Sequence, residues 1–408
     1  MASISQRAAF DYLKIICLAS DEGMPKLFFR RCETGRDSFI FQKNNDCPVP
    51  AFYAIIAAYL LFSGGCHMKL MRTEDAAGQV LCHDITQIIK GVTKDAVFRK
   101  GHIIQPEDIP VLLSVGKEHI YIWENDETML HENEAAGILC QLCQGPGMRA
   151  SEPKEGKIEL TAKHDGLFLA DVERLRRINS LGEMMIASRP GGFPVKTGDR
   201  LCGTRVIPLV IKKEAMERAR QAAGPKPLFS LLPFKKKSFG VVTTGSEIFH
   251  GRIQDTFTPV IEEKLAEYGC AMEAHEICDD REEEIIKAIQ TMADRGIDMI
   301  FCTGGMSVDP DDRTPSAIRK SGASIVSYGA PVLPGAMFLV SYLPDGRPVC
   351  GLPGCVMYAR RTIFDLVLPR LLADVPVTSQ WLAGLGHGGL CLSCPECHFP
   401  NCGFGKGV

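Results

Sequence analysis

Residues 301–315 run Phe-Cys-Thr-Gly-Gly-Met-Ser-Val-Asp-Pro-Asp-Asp-Arg-Thr-Pro, and these residue types suit the holding of an anion. The apolar run from Ile297 to Cys302 predicts a buried strand that enters Gly304-Gly305 directly. Glycines let a backbone turn sharply and present unhindered N–H groups to an anionic ligand. Ser307 adds a hydroxyl, and Asp312 a carboxylate able to carry a divalent metal or orient a phosphate ester. Thr314-Pro315 predicts a helix start, with an N-cap threonine and a proline in the first turn. A second chemical group lies far downstream: Cys391, Cys394, Cys397 and Cys402, spaced C-x2-C-x2-C-x4-C and flanked by His387 and His398. Thiolates so spaced can wrap a soft metal, either zinc or an iron–sulfur cluster. The plain alternative is a disordered, thiol-rich tail.

The elements around the first group alternate. From Ser238 the pattern predicts strand 239–243, helix 256–268, strand 271–278, helix 281–295, strand 297–302 and helix 314–320. A strand pair about Pro344-Asp345-Gly346 and a last helix over 355–372 follow. This is a doubly wound, three-layer α/β domain, whose ligand crevice lies at the carboxyl ends of its strands. Four loops end strands on that edge: Thr243-Thr244-Gly245-Ser246-Glu247, Cys278-Asp279-Asp280, Gly304-Gly305 through Asp312, and Gly351-Leu352-Pro353-Gly354. Taken singly, Asp312 could serve the turn before Thr314, and Asp279-Asp280 could cap the helix beginning at Arg281. Ser246 and Glu247 stand between site and helix-entry roles. The joint placement of the acidic residues beside two glycine loops favours a site. The preceding region, 68–224, predicts a β-rich α+β half, in which Cys140 and Cys143, one helical turn apart, read as core.

The 408 residues are enough for two or three domains, and 45% hydrophobic with 23% charged residues is ordinary globular composition. With a net charge of −3 and no basic block longer than Lys235-Lys236-Lys237, nucleic acid is excluded as the main partner. The 17 cysteines are odd in number and mostly single within apolar runs, so a reduced, cytoplasmic protein is expected. The apolar stretch 51–62 is shorter than the roughly 20 residues a spanning helix needs, so no membrane role is expected. Met68-Lys69-Leu70 resembles a natural start, which makes 1–67 an expected extension outside the folded enzyme. The remaining divisions are 68–224, a linker at 225–237, the α/β domain at 238–375 and a Gly/Cys-rich tail at 376–408. The tail is too polar in pattern for core.

The order TTGSEI, CDDREEEI, TGGMSVDPDDRTP and GLPG resembles the molybdopterin-binding domain shared by MogA- and MoeA-type proteins of molybdenum-cofactor biosynthesis, gephyrin included. Upstream, EDAAGQVLCHDI, KGHIIQPEDIPVLLSVG and PVKTGDRLCGTRVIPLVI resemble the MoeA-type N-terminal region. The resemblance implies binding of molybdopterin or its adenylylated form, Mg²⁺-dependent insertion of molybdate, and a homodimer. It implies that Asp279 and Asp312 form the acidic pair at the reacting phosphate and metal, with Glu247 beside them. Thr244, Gly245 and Ser246 would lie in the first pterin loop, Gly304, Gly305 and Ser307 in the phosphate-facing loop, and Pro353 and Gly354 in the fourth. The chain departs from the family in three places. Ser246 stands where many relatives carry aspartate, and Cys355-Val356-Met357-Tyr358 replaces Asn-Pro-Val-Ser. His164-Asp165-Gly166-Leu167 is the nearest match to the family's Met-Asp-Gly-Tyr-Ala. These departures, with the cysteine tail, leave a second reading open: a non-catalytic carrier or maturation chaperone that delivers finished cofactor to a molybdoenzyme.

Overall fold

A computed structural model describes residues 13–18, 26–31, 68–89, 93–123, 128–307 and 312–407. The chain divides into two units, Met1–Cys66 and His67–Val408. Within the first, strands Leu13–Leu18 and Lys26–Arg31 pair antiparallel. The rest of the expected extension, with the apolar stretch 51–62, lies outside the described residues.

In the second unit the α/β segment is built on a six-stranded sheet. Its strands are β1 (Ser238–Thr244), β2 (Ala271–Cys278), β3 (Met299–Thr303), β4 (Ser324–Tyr328), β5 (Leu339–Tyr342) and β6 (Pro348–Leu352). Their order across the sheet is β2-β1-β3-β6-β5-β4. The pairs β2/β1, β1/β3 and β3/β6 are parallel, and β5 runs against both of its neighbours. Parallel strands covered on both faces read as unbroken apolar runs. So it is here: every residue of β3 is buried. The helices are α1 (Ser246–Phe249), α2 (Thr258–Ala266), α3 (Glu282–Asp294), α4 (Thr314–Lys320) and α5 (Ile363–Leu372).

The side-chain alternation of the strands sends Phe239, Val241, Met299 and Phe301 to one face, where they meet Ile261 and Leu265 of α2 and Phe364 and Val367 of α5. Val242, Ile300 and Cys302 go to the other, against Ile285, Ile289 and Met292 of α3 and Ile318 of α4. Three layers result, as expected. Helix α3 shows why: Ile285, Ala288, Ile289 and Met292 repeat at helical spacing, and three glutamates sit in its first turn. Each large side chain fully buried this way contributes roughly 1.5–3 kcal/mol.

The preceding half is α+β. Strands Met148–Ala150, Lys157–Ala162, Arg200–Val206 and Met184–Ser188 form an antiparallel sheet. Ile158, Leu160 and Ala162 alternate inward from it onto helices Glu132–Cys143 and Lys213–Ala223. Cys140 and Cys143 lie in that core, as expected.

Four local expectations change. Phe229–Pro233, inside the stretch read as linker, is a strand paired with Gly166–Ala170. Strand β4 is an addition to the expected elements; it is short, at the sheet edge, and only half-buried. The expected helix 355–372 is two pieces, a 3-10 turn Gly354–Met357 and then α5. The break falls where Thr362 and Asp365 form a reciprocal cap that starts a new helix. The tail does enter the core. Phe404 is buried with the α5 face, and Phe399 packs edge-on to both Phe193 and Phe404.

Candidate functional site

Thr244 pairs with Cys278, Thr243 with Thr303, and Thr303 with Leu352. The four loops that follow these residues therefore leave the sheet along one edge, the carboxyl edge. Strand β1 has a neighbour on each side whose connections run to opposite faces, the place where such sheets take ligands.

Specific hydrogen bonds tie the loops together. The Ser246 hydroxyl donates to Asp279, and the Ser246 N–H donates to Asp280 Oδ2 at 2.9 Å. The Asp280 N–H reaches Asp279 Oδ1 at 2.9 Å. These bonds, that from Ser246 first, hold the Asp279 carboxyl below its usual range. Helix α3 is capped by neither aspartate; its N-cap is Arg281, with no side-chain cap. The capping alternative for Asp279-Asp280 is thus set aside. The Ser246 hydroxyl makes this a contact between a neutral donor and a carboxylate.

Thr314 also behaves differently from expectation. The N-cap of α4 is Arg313, without a side-chain bond. The Thr314 hydroxyl instead donates to the Gly304 carbonyl at 2.9 Å and meets the Thr244 hydroxyl at 3.3 Å. Thr244, Gly304 and Thr314 thus join loops one and three. Gly304 has φ +81°, and a Cβ there would stand 2.2 Å from the Thr244 carbonyl oxygen, so only glycine fits. Gly305, at φ +53°, lies against Thr314 in the same way.

Other expected residues are placed as follows. Glu247 is exposed in α1, and Ser307 is exposed beside buried Met306. Asp312 is half-buried ahead of α4. Pro353 is buried and Gly354 exposed at the end of β6. Cys355 is half-buried, with burial raising its thiol pKa. Tyr358 points outward, 77% exposed, and lines the cavity beneath the cysteine tail. Asp165 is engaged within the first half by Thr197, at 2.8 Å from its N–H, and by Lys196 at 3.0 Å. Cys391, Cys394, Cys397 and Cys402 all line that one cavity. Among the described residues, no three His, Cys, Asp or Glu side chains are already gathered as a ligand set.

Two features of the site escaped sequence reasoning. Tyr328, on the unexpected strand β4, donates to the Ser307 carbonyl at 3.0 Å and so fixes loop three. Burial first, then the charge of Asp312, raise its phenol pKa. The second is a polar knot under loop one. Thr243 Oγ1 lies 3.0 Å from both Asp255 Oδ2 and His275 Nε2, and Asp255 Oδ1 accepts the Phe257 N–H at 2.8 Å. Burial pushes the Asp255 carboxyl up, but its bonds from Thr258, Phe257 and Thr243 outweigh this and hold it below the usual range. The sequence signal was the Asp-Thr-Phe-Thr-Pro helix entry at 255–259.

This geometry belongs to a recognisable class. Residues 240–373 match the family described as "Probable molybdopterin binding domain". The α/β segment is a molybdopterin-binding domain of the kind related to molybdenum-cofactor biosynthesis. Residues 70–124 match a "Domain of unknown function (DUF8806)". A CinA-like protein of Mycobacterium avium (strain 104) is 36% identical over 81 residues, 20% of this chain and 19% of the relative. The chain therefore spans about a fifth of the length of the curated relatives it matches. Among solved structures, the molybdopterin biosynthesis enzyme MoaB of Thermus thermophilus is 27% identical, covering 34% of this chain and 94% of its own, with a TM-score of 0.29. CinA of Thermoplasma acidophilum is 19% identical, covering 33% and 98%, also with a TM-score of 0.29. No helix among the described residues is long and apolar enough to cross a membrane.

Proposed function

We propose that the chain is a MoeA-like molybdopterin molybdotransferase that binds adenylylated molybdopterin and promotes insertion of molybdate. The observation that carries this reading is the bonding of loop one to loop two through Ser246 and to loop three through Thr244. Glycine N–H groups, hydroxyls and acidic side chains thereby share one crevice. Thr244, Gly245, Ser246, Pro353 and Gly354 would hold the pterin, and Gly304, Gly305 and Ser307 its phosphate.

Mg²⁺ takes one or two carboxylates together with substrate phosphates and water, so it needs no all-protein cage. Asp279 Oδ1 already accepts from the Ser246 hydroxyl and the Asp280 N–H, so Oδ2, 3.7 Å from Arg281 Nε, is the oxygen that would meet the ion. Asp279 and Asp312 are the residues that would hold the ion, with Glu247 at the rim, and the ion would supply positive charge at the reacting phosphate. The chain's own contribution is to orient the adenylyl phosphate on the Gly304-Gly305 N–H groups and to keep the acidic residues in place. AMP would leave as the molybdenum enters. The protein would work in the cytoplasm as a homodimer.

A specific observation favours the second reading, that of a carrier. Loop four presents a half-buried thiol and an outward phenol where the family motif has an amide and a hydroxyl. A carrier would bind the same cofactor and hand it to a molybdoenzyme. The test is a single-turnover assay of adenylylated molybdopterin with molybdate and Mg²⁺, using the full chain and Asp312→Asn. AMP release lost in the variant supports the transferase; tight pterin binding without AMP release from either protein supports the carrier.

A further inference from the structure

We propose that Cys391, Cys394, Cys397 and Cys402 together bind one soft-metal centre, a feature separate from the pterin crevice and independent of its chemistry. Spacing alone suggests ligands; the structure adds a place for them. All four cysteines line a single cavity of about 730 Å³, which Tyr358, Arg360 and Arg361 also line. No one of them forms a disulfide.

The segment that carries them is anchored at both ends. The Cys391 N–H donates to the Leu333 carbonyl at 2.8 Å, and the Gly405 N–H to the Gly388 carbonyl at 2.9 Å. Cys391 and Cys402 pack against the main core, whereas Cys394 and Cys397 are exposed on the turn between them. Two thiols are thus fixed and two face solvent on a four-residue turn, whose Pro395 carbonyl is held by Arg360 at 2.8 Å. A cysteine has a single side-chain torsion, and closing the set requires these side chains to rotate and the turn to move. Ligand sets of this kind are commonly completed by the metal itself.

The surrounding charge is compatible with such a centre. Four thiolates on zinc carry a net charge of about −2, which a buried site must offset. Here Arg361 lines the same cavity as the four cysteines, and Lys406 follows Cys402 closely in the chain. Arg361 also stacks over Phe399, which holds it at the cavity wall. Both cations are also engaged by the fold, Arg361 by Asp365 and Lys406 by the Pro400 carbonyl, so the four thiols and not the cations carry the assignment. Those thiols match a centre of thiolate-bound zinc or an iron–sulfur cluster, which share the same ligands.

The full chain, purified without oxygen, is analysed for zinc, iron and acid-labile sulfide, then stripped with a chelator and titrated with Co²⁺. The expected result is one equivalent of Co²⁺ with thiolate charge-transfer and tetrahedral d–d absorption. Cys394→Ser should weaken binding by at least about tenfold, and the Cys394→Ser/Cys397→Ser double variant should abolish the spectrum. Both positions are exposed, so circular dichroism of the variants should match the parent; Cys355→Ser, outside the tail, should keep the cobalt spectrum. Zinc alone in the purified protein assigns a mononuclear site, and iron with sulfide assigns a cluster. Absence of thiolate–cobalt absorption, or a spectrum unchanged in the double variant, overturns the proposal.

Discussion

Two pairs of aspartates in the α/β segment are treated oppositely by the fold. Asp365, with 4% of its side chain exposed, is bonded to Lys264 and to Arg361, each at 2.8 Å, and to the Thr362 N–H at 2.7 Å. Asp255, 9% exposed, is used up by Thr243, Thr258 and the Phe257 N–H. Asp279 and Asp280 sit on the open side, and among the described residues their loop-to-loop partner is Ser246. The buried pair holds the bases of α2 and α5. The open pair is held across the loops by Ser246, and Asp279 also faces Arg281. Burial, not residue type, separates the two pairs.

The comparison can be broken most forcefully at Asp365. Asp365→Ala leaves the Lys264 ammonium, 10% exposed, without its carboxylate. A loss of about 3–5 kcal/mol in urea unfolding is expected; a loss within error would show that the buried aspartates are not scaffold. Asp255→Asn comes next, at about 1–3 kcal/mol, since it removes a charged acceptor from a nearly buried knot. The sign with pH follows from the depressed carboxyl pKa, whose ordinary value is 3.8. Its stabilisation is present above that value and lost as pH falls through the lower folded one. Below about pH 4 the parent should therefore lose stability faster than the variant, as thermal unfolding across pH would read.

Asp279→Asn sharpens the other side. Its unfolding midpoint should stay close to the parent's, while molybdopterin affinity, followed by fluorescence titration, falls. A large stability loss with unchanged affinity would reassign Asp279 to the scaffold. The smallest effect is chemical. Cys394 and Cys397 should react with iodoacetamide first in native, metal-free protein, and Cys302 and Cys350, whose thiol pKa values burial pushes up, last. Peptide mass spectrometry gives the order.

Much of this was legible in residue pattern. The apolar runs of β1 and β3, the amphipathic spacing of α3, and the four loops in order carry the doubly wound sheet and its edge. What escaped lacked periodicity or a local signal. Strand β4 is a five-residue edge strand with no fully buried position, so no apolar run announced it. Phe399 and Phe404 are lone aromatics among glycines, prolines and cysteines, and only the folded chain shows them filling space beside Phe193. Thr314 followed by proline is a sound helix-start signal, yet its hydroxyl serves a strand end 70 residues away. Sequence neighbours could not reveal that partner.

The contact of Thr244 with Thr314, and of Thr314 with the Gly304 carbonyl, is made wholly by uncharged groups. Such a joint does not titrate in the physiological range, and dissolved salt does not screen it. The spacing of loops one and three should therefore be the same in dilute buffer and in concentrated salt. Whatever ionic-strength dependence ligand capture displays then belongs to the acidic rim and the ligand's own charge, which makes a salt titration a direct gauge of how much electrostatics contributes to capture.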